Sequence, residues 1–243
     1  MMREQYDGVV ARHYASYRPA LHGPILSRAI SDVEAFPVGL DIGCGTGHSA
    51  IALATYCDKV FGIDPSEAML ADAAGHPKVN YILGTADDLG GVPSLPVNII
   101  TLAGSLHYAK SDRLRQQLNL VCCPGATIVV YDFEIGLDQV LASMNINVPA
   151  VASDYDHAAN LVDWKEFPAR TRETGQLRLE LSAKNLGHVL LADSNRFKSI
   201  SKQLRLQDPY ASLVRQLARR RDVHCLDVDI YFARYEFSPP PPP

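Results

Sequence analysis

Three glycines at single-residue spacing, Gly43, Gly45 and Gly47, follow the short apolar run Val38–Ile42 and lead into an alanine-rich stretch with helical spacing. Without Cβ atoms the backbone can turn sharply there and let a ligand press against it. A helix starting at His48 presents free N–H groups toward the same space. Asp64 closes the next apolar run, seventeen residues after Gly47. A carboxylate at that place can accept hydrogen bonds from both hydroxyls of a ribose; its plainer use is to cap the helix that begins near Ser66. A third turn, Gly84–Leu89 (GTADDL), sets Asp87 where it could accept from an exocyclic amine of adenine. A dinucleotide turn, G-x-G-x-x-G, would need a glycine where His48 stands, so a pyrophosphate over this helix end is not expected.

Other side chains could act on a second molecule. His107 lies just past the fourth apolar run, and an imidazole that titrates near neutrality suits a general base; packing of the loop is its alternative use. Tyr14, Tyr17 and Arg18 could form a lid, with Arg18 clamping a carboxylate, or could belong to a helix that simply packs on the body. Tyr155, His157 and Trp164 fall in an irregular stretch and are candidates for substrate contact. No Cys or His spacing reads as a metal site.

The elements that must carry these residues alternate. Apolar, β-branched runs at 38–42, 59–64, 79–83, 97–102 and 126–133 predict five strands, with helices expected over 22–35, 48–57, from Ser66 and over 111–122. Near-continuous apolar strands separated by helices imply a parallel sheet covered on both faces, with ligands in the crevice at its carboxyl edge. Beyond 133 the rhythm changes. Helices are expected near 136–145, 158–165, from Ser182 and over 210–220, with a strand at 177–181 and a long alternating strand over 226–237. The fold class is therefore α/β, a Rossmann-like, mostly parallel sheet of about seven strands with an antiparallel C-terminal edge strand. The organisation read is a single domain over 1–237. Within it lie an N-terminal helical lid (1–35), a cofactor-binding core (36–133), a substrate-covering insertion (134–181), and C-terminal helices with the final strand (182–237). A proline tail (238–243) follows.

The stretches Leu40–Gly47 (LDIGCGTG), Val60–Leu70 (VFGIDPSEAML), Gly84–Leu89, Ile99–Tyr108 (IITLAGSLHY) and Cys123–Phe133 (CPGATIVVYDF) together resemble the class I S-adenosylmethionine-dependent methyltransferases. Within them the chain is most similar to the small-molecule enzymes of the trans-aconitate type, whose N-terminal segment Tyr14–Pro19 also resembles. The likeness is strong over roughly 10–135 and faint over 136–176. It implies that Gly43, Cys44, Gly45 and Gly47, with Asp41 supporting the turn, lie against the methionine part of S-adenosylmethionine. By the same likeness Asp64 and Pro65 would meet the ribose, Met69, Ala86 and Asp87 the adenine, and the backbone at Ala103 the amino-acid end. The chain has Leu102-Ala103-Gly104-Ser105 after its fourth strand and no Asn/Asp-Pro-Pro-aromatic motif, which argues against methylation of a nucleobase or amide nitrogen. The function read is methyl transfer to a small-molecule acceptor at oxygen, carboxylate or hydroxyl. A nicotinamide-dependent dehydrogenase and a non-catalytic S-adenosylmethionine-binding module are the alternatives.

Composition narrows the classes further. The 243 residues carry 23 Lys and Arg against 27 Asp and Glu, a net charge of −4, with 47% apolar residues. That is ordinary globular composition without the basic footprint of a phosphate-backbone binder, so no nucleic-acid partner is expected. No apolar run approaches the roughly 20 residues that cross a bilayer, and the N-terminus has no apolar leader, so no membrane partner is expected. Five cysteines, an odd number, are read as free thiols of a cytoplasmic protein that is a monomer or weak homodimer. The triplet Arg219–Arg221 is read as a solvated helix end.

Overall fold

The computed structural model describes residues 8–30, 35–93, 96–150 and 154–239. They group into two compact units, one built from 20–30, 35–93, 96–133, 155–175 and 230–239, the other from 8–19, 134–150, 154 and 176–229. The expected proline tail lies outside the described residues from 240 onward.

Among the described residues seven strands form one sheet: β1 (Phe36–Ile42), β2 (Cys57–Asp64), β3 (Val79–Leu83), β4 (Val97–Ala103), β5 (Cys122–Ile135), β6 (Ala169–Ser182) and β7 (Val223–Glu236). Their order is β3-β2-β1-β4-β5-β7-β6, and the first five run parallel. The final strand is antiparallel to β5: Phe237 N–H donates to Ala126 O near the start of β5, while Gly136 N–H donates to Asp227 O past its end. It lies one place in from the margin, with β6 outermost.

The strands form where the sequence offers consecutive apolar residues, because both faces are covered. On one face Leu40, Ile42, Phe61, Ile63, Ile100, Leu102, Ile128 and Val130 pack with Leu106, Leu114 and Leu118 and with Leu161, Trp164 and Phe167 of the 155–168 segment. Each such fully buried side chain contributes about 1.5–3 kcal/mol. The helix α3 (His48–Leu53) packs on β1 and β2, beside α2 (His22–Ala29).

Two expectations fail. The helix expected over 158–165 is a run of turns, in which Trp164 N–H donates to Leu161 O and Phe167 N–H to Trp164 O. Its apolar residues fill the sheet face without needing helical spacing. β6, 14 residues long, also extends well beyond the run 177–181 at its N-terminal side, because its opening stretch, Ala169–Thr174, is exposed and polar. An edge strand needs partners on one side only and carries no apolar signature there.

The second unit holds α1 (Gly8–Ser16), α7 (Asp138–Ser143), α8 (Ala183–Leu191), α9 (Ser194–Leu204) and α10 (Tyr210–Ala218) around Leu186, Leu190, Ile200, Leu213 and Leu217. Inside it His13 Nδ1 lies 3.0 Å from His188 Nδ1, both rings against Tyr210. Burial pushes both imidazoles below 6.5; for His13 the neighbouring His188 and Arg12 add to this and Asp208 opposes it. The unfolded chain therefore takes up protons near pH 6.5 that the folded unit refuses. Stability present above that value is lost as pH falls through the lowered folded pKa values. The expected result is a thermal midpoint that drops between about pH 7 and pH 5, with the drop reduced in a His13→Gln/His188→Gln pair. A midpoint equally pH-dependent in that pair would contradict the assignment.

Candidate functional site

The carboxyl ends of β1, β2 and β4 bring the glycine turn and the acid together. Gly43 and Cys44 N–H both donate to Ile63 O, and Gly45 N–H donates to Asp64 Oδ2 at 2.8 Å. The other oxygen of Asp64 accepts from Ser66 N–H at 2.8 Å. The capping of α4 (Glu67–Ala71) falls to the hydroxyl of Ser66, which accepts from Met69 N–H. Asp64 is thus not the helix cap. Each of its oxygens has one partner and a second acceptor direction remaining.

Asp41 lies beneath the turn, fully buried, accepting from Ser49 Oγ at 2.5 Å and Thr101 Oγ1 at 2.6 Å. Burial pushes its carboxyl up to about 6, against the two hydroxyls that favour its charged form. It clamps β1, α3 and β4 to one another and holds the turn from below, so its role is positioning. Ser105 adds a second tie, donating to Ile42 O at 2.5 Å. Cys44 turns its thiol inward, where burial raises its pKa, against the space a side chain at Gly62 would fill. Only its backbone is available to a ligand.

Gly43, Gly45 and Gly47 all have left-handed backbone, with φ of +76°, +51° and +87°. A Cβ on Gly45 would meet no atom within 4 Å, whereas one on Gly47 would collide with the Tyr81 hydroxyl. The open space beside Gly45, flanked by the Asp64 carboxyl, could admit a polar ligand against the backbone. Pro65 is exposed and Met69 half-buried at its margin. At the end of β3, Ala86 is half-buried, and the exposed Asp87 accepts from Ser111 Oγ at 2.6 Å. Ser111 in turn caps α6 (Asp112–Val121), so Asp87 is held in place by the helix it precedes.

The exit of β4 carries the second group. Ala103 pairs with Tyr131, and Gly104 N–H donates to Tyr131 O at 2.8 Å. His107, in the short helix α5 (Leu106–Ala109), Tyr155 and His157 form an aromatic cluster with centroids 4.8 Å apart for each ring pair along that row. Asp132, which the sequence did not single out, sits in it: its Oδ2 lies 2.7 Å from Tyr155 Oη and 2.8 Å from His157 Nδ1. His107 does not fit the role of base. Its Nδ1 accepts Asp156 N–H at 3.1 Å, which in the neutral ring leaves the proton on Nε2, a donor.

Trp164 is a correction as well. It is buried in the sheet core beside Phe167, away from any substrate-facing surface. Tyr14, Tyr17 and Arg18 belong to the second unit. There the Arg18 guanidinium lies 4.0 Å from the Tyr14 ring centroid, and burial raises the Tyr17 phenol. Among the described residues no cluster could hold a metal ion, and no helix is long and apolar enough to cross a membrane.

Residues 40–125 match the family model of a methyltransferase domain. A Dictyostelium discoideum protein named as a methyltransferase is 31% identical over 102 residues, covering 42% of this chain and 38% of that one. The Saccharomyces cerevisiae protein CRG1, named as an S-adenosylmethionine-dependent methyltransferase, is 30% identical over 121 residues, 45% of this chain and 40% of that one. The matches thus span about two fifths of the length of these curated relatives. Among solved structures, a type II methyltransferase of Anaeromyxobacter dehalogenans aligns with a TM-score of 0.63 at 21% identity, covering 92% of this chain and all of that one. Phosphoethanolamine N-methyltransferase 2 of Haemonchus contortus, solved with S-adenosylhomocysteine, aligns at 0.52 and 18% identity over 98% of this chain and 59% of that one. The Rossmann-like fold is therefore that of methyltransferases.

Proposed function

We propose that this chain, which carries a methyltransferase domain, transfers a methyl group from S-adenosylmethionine to the oxygen of a small molecule. One observation carries the reading: the 2.8 Å bond from Gly45 N–H to Asp64 sets the glycine turn and the strand-end acid side by side, with open space over Gly45. The residues fit that donor. Asp64 would accept from the ribose hydroxyls with its remaining acceptor directions, and Met69, Ala86 and Asp87 would border the adenine. The backbone of Gly43–Gly47 and of Ala103 would meet the methionine part. A bound sulfonium supplies an already activated methyl and a neutral leaving group, so the protein's task is alignment and a deprotonated acceptor. A relative named as S-adenosylmethionine-dependent supports the donor, and the resemblance to the trans-aconitate type supports a small acceptor. A lid from Tyr14, Tyr17 and Arg18 and a location in the cytoplasm belong to the same proposal.

The test is incubation with S-adenosylmethionine and pooled small metabolites, followed by mass spectrometry. The expected result is S-adenosylhomocysteine formed in step with one product heavier by a single methyl. Tight binding of a nicotinamide dinucleotide in place of S-adenosylmethionine would instead revive a dehydrogenase.

A further inference from the structure

The two histidines beside the exit of β4 have opposite proton arrangements. Asp156 N–H points at His107 Nδ1, whereas the Asp132 carboxylate points at His157 Nδ1. A carboxylate only accepts, so His157 must carry its proton on Nδ1, leaving the lone pair on Nε2. Nε2 is then the ring's one acceptor. The pair is well fixed. Asp132 Oδ1 accepts Phe133 N–H at 2.7 Å, and its Oδ2 lies at 2.7 Å from the Tyr155 hydroxyl. Burial, and then its bond to Asp132, raise the pKa of that phenol, so Tyr155 stays protonated and a donor. Tyr231 stacks on the His157 ring at 5.8 Å and 16°, and Tyr155 meets it edge-on at 4.8 Å and 78°.

Place and space agree with this. A Cβ on Gly104 would lie 3.2 Å from Asp132 Oδ1, so the carboxylate flanks the β4 exit on the same sheet edge as the glycine turn. His157 also lines a cavity of about 340 Å³ whose wall includes Val130, Tyr131, Tyr231 and Phe232, with Arg172 and Glu173 as its charged members. One charge of each sign gives no net attraction for an ion; Asn160 and Thr174 add uncharged polar groups, and the rings of Tyr131, Tyr231 and Phe232 offer planar faces for a ring to pack on.

We propose that His157 is the general base of this site, held in its basic tautomer by Asp132 and Tyr155 as positioning residues, and that the acceptor is an uncharged, flat molecule bearing a hydroxyl. The assignment rests on the methyltransferase reading and deepens it. The acceptor O–H gives its proton to His157 Nε2 while its oxygen forms the new O–C bond. The methyl C–S bond breaks with both electrons remaining on sulfur, and the imidazolium then releases the proton to water. A carboxylate acceptor would need no base and would leave this pair without a task.

The experiment is ¹⁵N NMR of the histidine side chains in the full chain with S-adenosylhomocysteine added, and phenol as acceptor probe. His157 is expected to show a protonated Nδ1 and a bare Nε2, His107 the reverse. Phenol should shift the His157 Nε2 resonance saturably, and benzoate should not. Asp132→Asn should abolish the single tautomer of His157 while leaving that of His107. A protonated Nε2 on His157, or no phenol effect, or an equal benzoate effect, overturns the proposal. Calorimetry on the same sample separates the two layers. With S-adenosylhomocysteine bound, a wrong tautomer sinks the base assignment alone. Without binding, the methyltransferase reading falls and takes the base with it.

Discussion

Replacing Asp64 by alanine is expected to weaken the binding of S-adenosylhomocysteine at least tenfold. Hydrogen bonds to a charged acceptor contribute about 1.5–3 kcal/mol each, and one tenfold step in affinity is about 1.4 kcal/mol, so losing a single ribose contact suffices. The acid also holds the turn: its two oxygens accept from Gly45 and Ser66 N–H. Alanine therefore removes the ribose acceptor and loosens the loop that must lie along the ligand. Calorimetry measures the first effect, and a thermal melt in the absence of ligand measures the second. Unchanged affinity would place the nucleoside elsewhere.

Gly45→Ala and Gly47→Ala are expected to separate binding from stability within one five-residue turn. Both positions have positive φ, where an L side chain costs about 1–2 kcal/mol. At Gly45 nothing else opposes the new methyl, because the space around it holds no protein atom within 4 Å. The methyl then stands where the ligand must lie, so binding should fall tenfold or more with only that modest loss of stability. At Gly47 the methyl strikes the Tyr81 hydroxyl, which donates to Ala74 O at 2.7 Å. Displacing that bond adds about 1 kcal/mol, making Gly47→Ala the less stable of the two. Equal affinities for Gly45→Ala and the unsubstituted protein would show that the open space is not the ligand's.

What the sequence could show followed from local physics. The four inner parallel strands were legible because each is largely apolar on both faces, β3 only as a short apolar run at the sheet margin, and the glycine turn because three positive φ values within five residues demand glycine. Asp64 was legible through its place at a strand end. The first half of β6 was not, since an exposed edge strand such as Ala169–Thr174 carries polar residues on both sides. Asp132 was hidden inside the run Ile128–Phe133, and its partner His157 lies 25 residues away. His107 drew attention by position alone; only the backbone N–H of Asp156 at its Nδ1 reveals the tautomer. Trp164 offered a large ring in an irregular stretch, the description equally of a binding residue and of the core residue it is. Positions along strands are readable from periodicity. The partners of a polar atom depend on chain crossings that no local pattern encodes.

A crystal structure of the protein with S-adenosylhomocysteine would weigh the whole account at once. Both ribose hydroxyls should lie within hydrogen-bond reach of the Asp64 carboxylate, with the amino-acid part of the ligand along Gly43–Gly47. A nucleoside bound with Asp64 out of reach of its sugar would contradict the account.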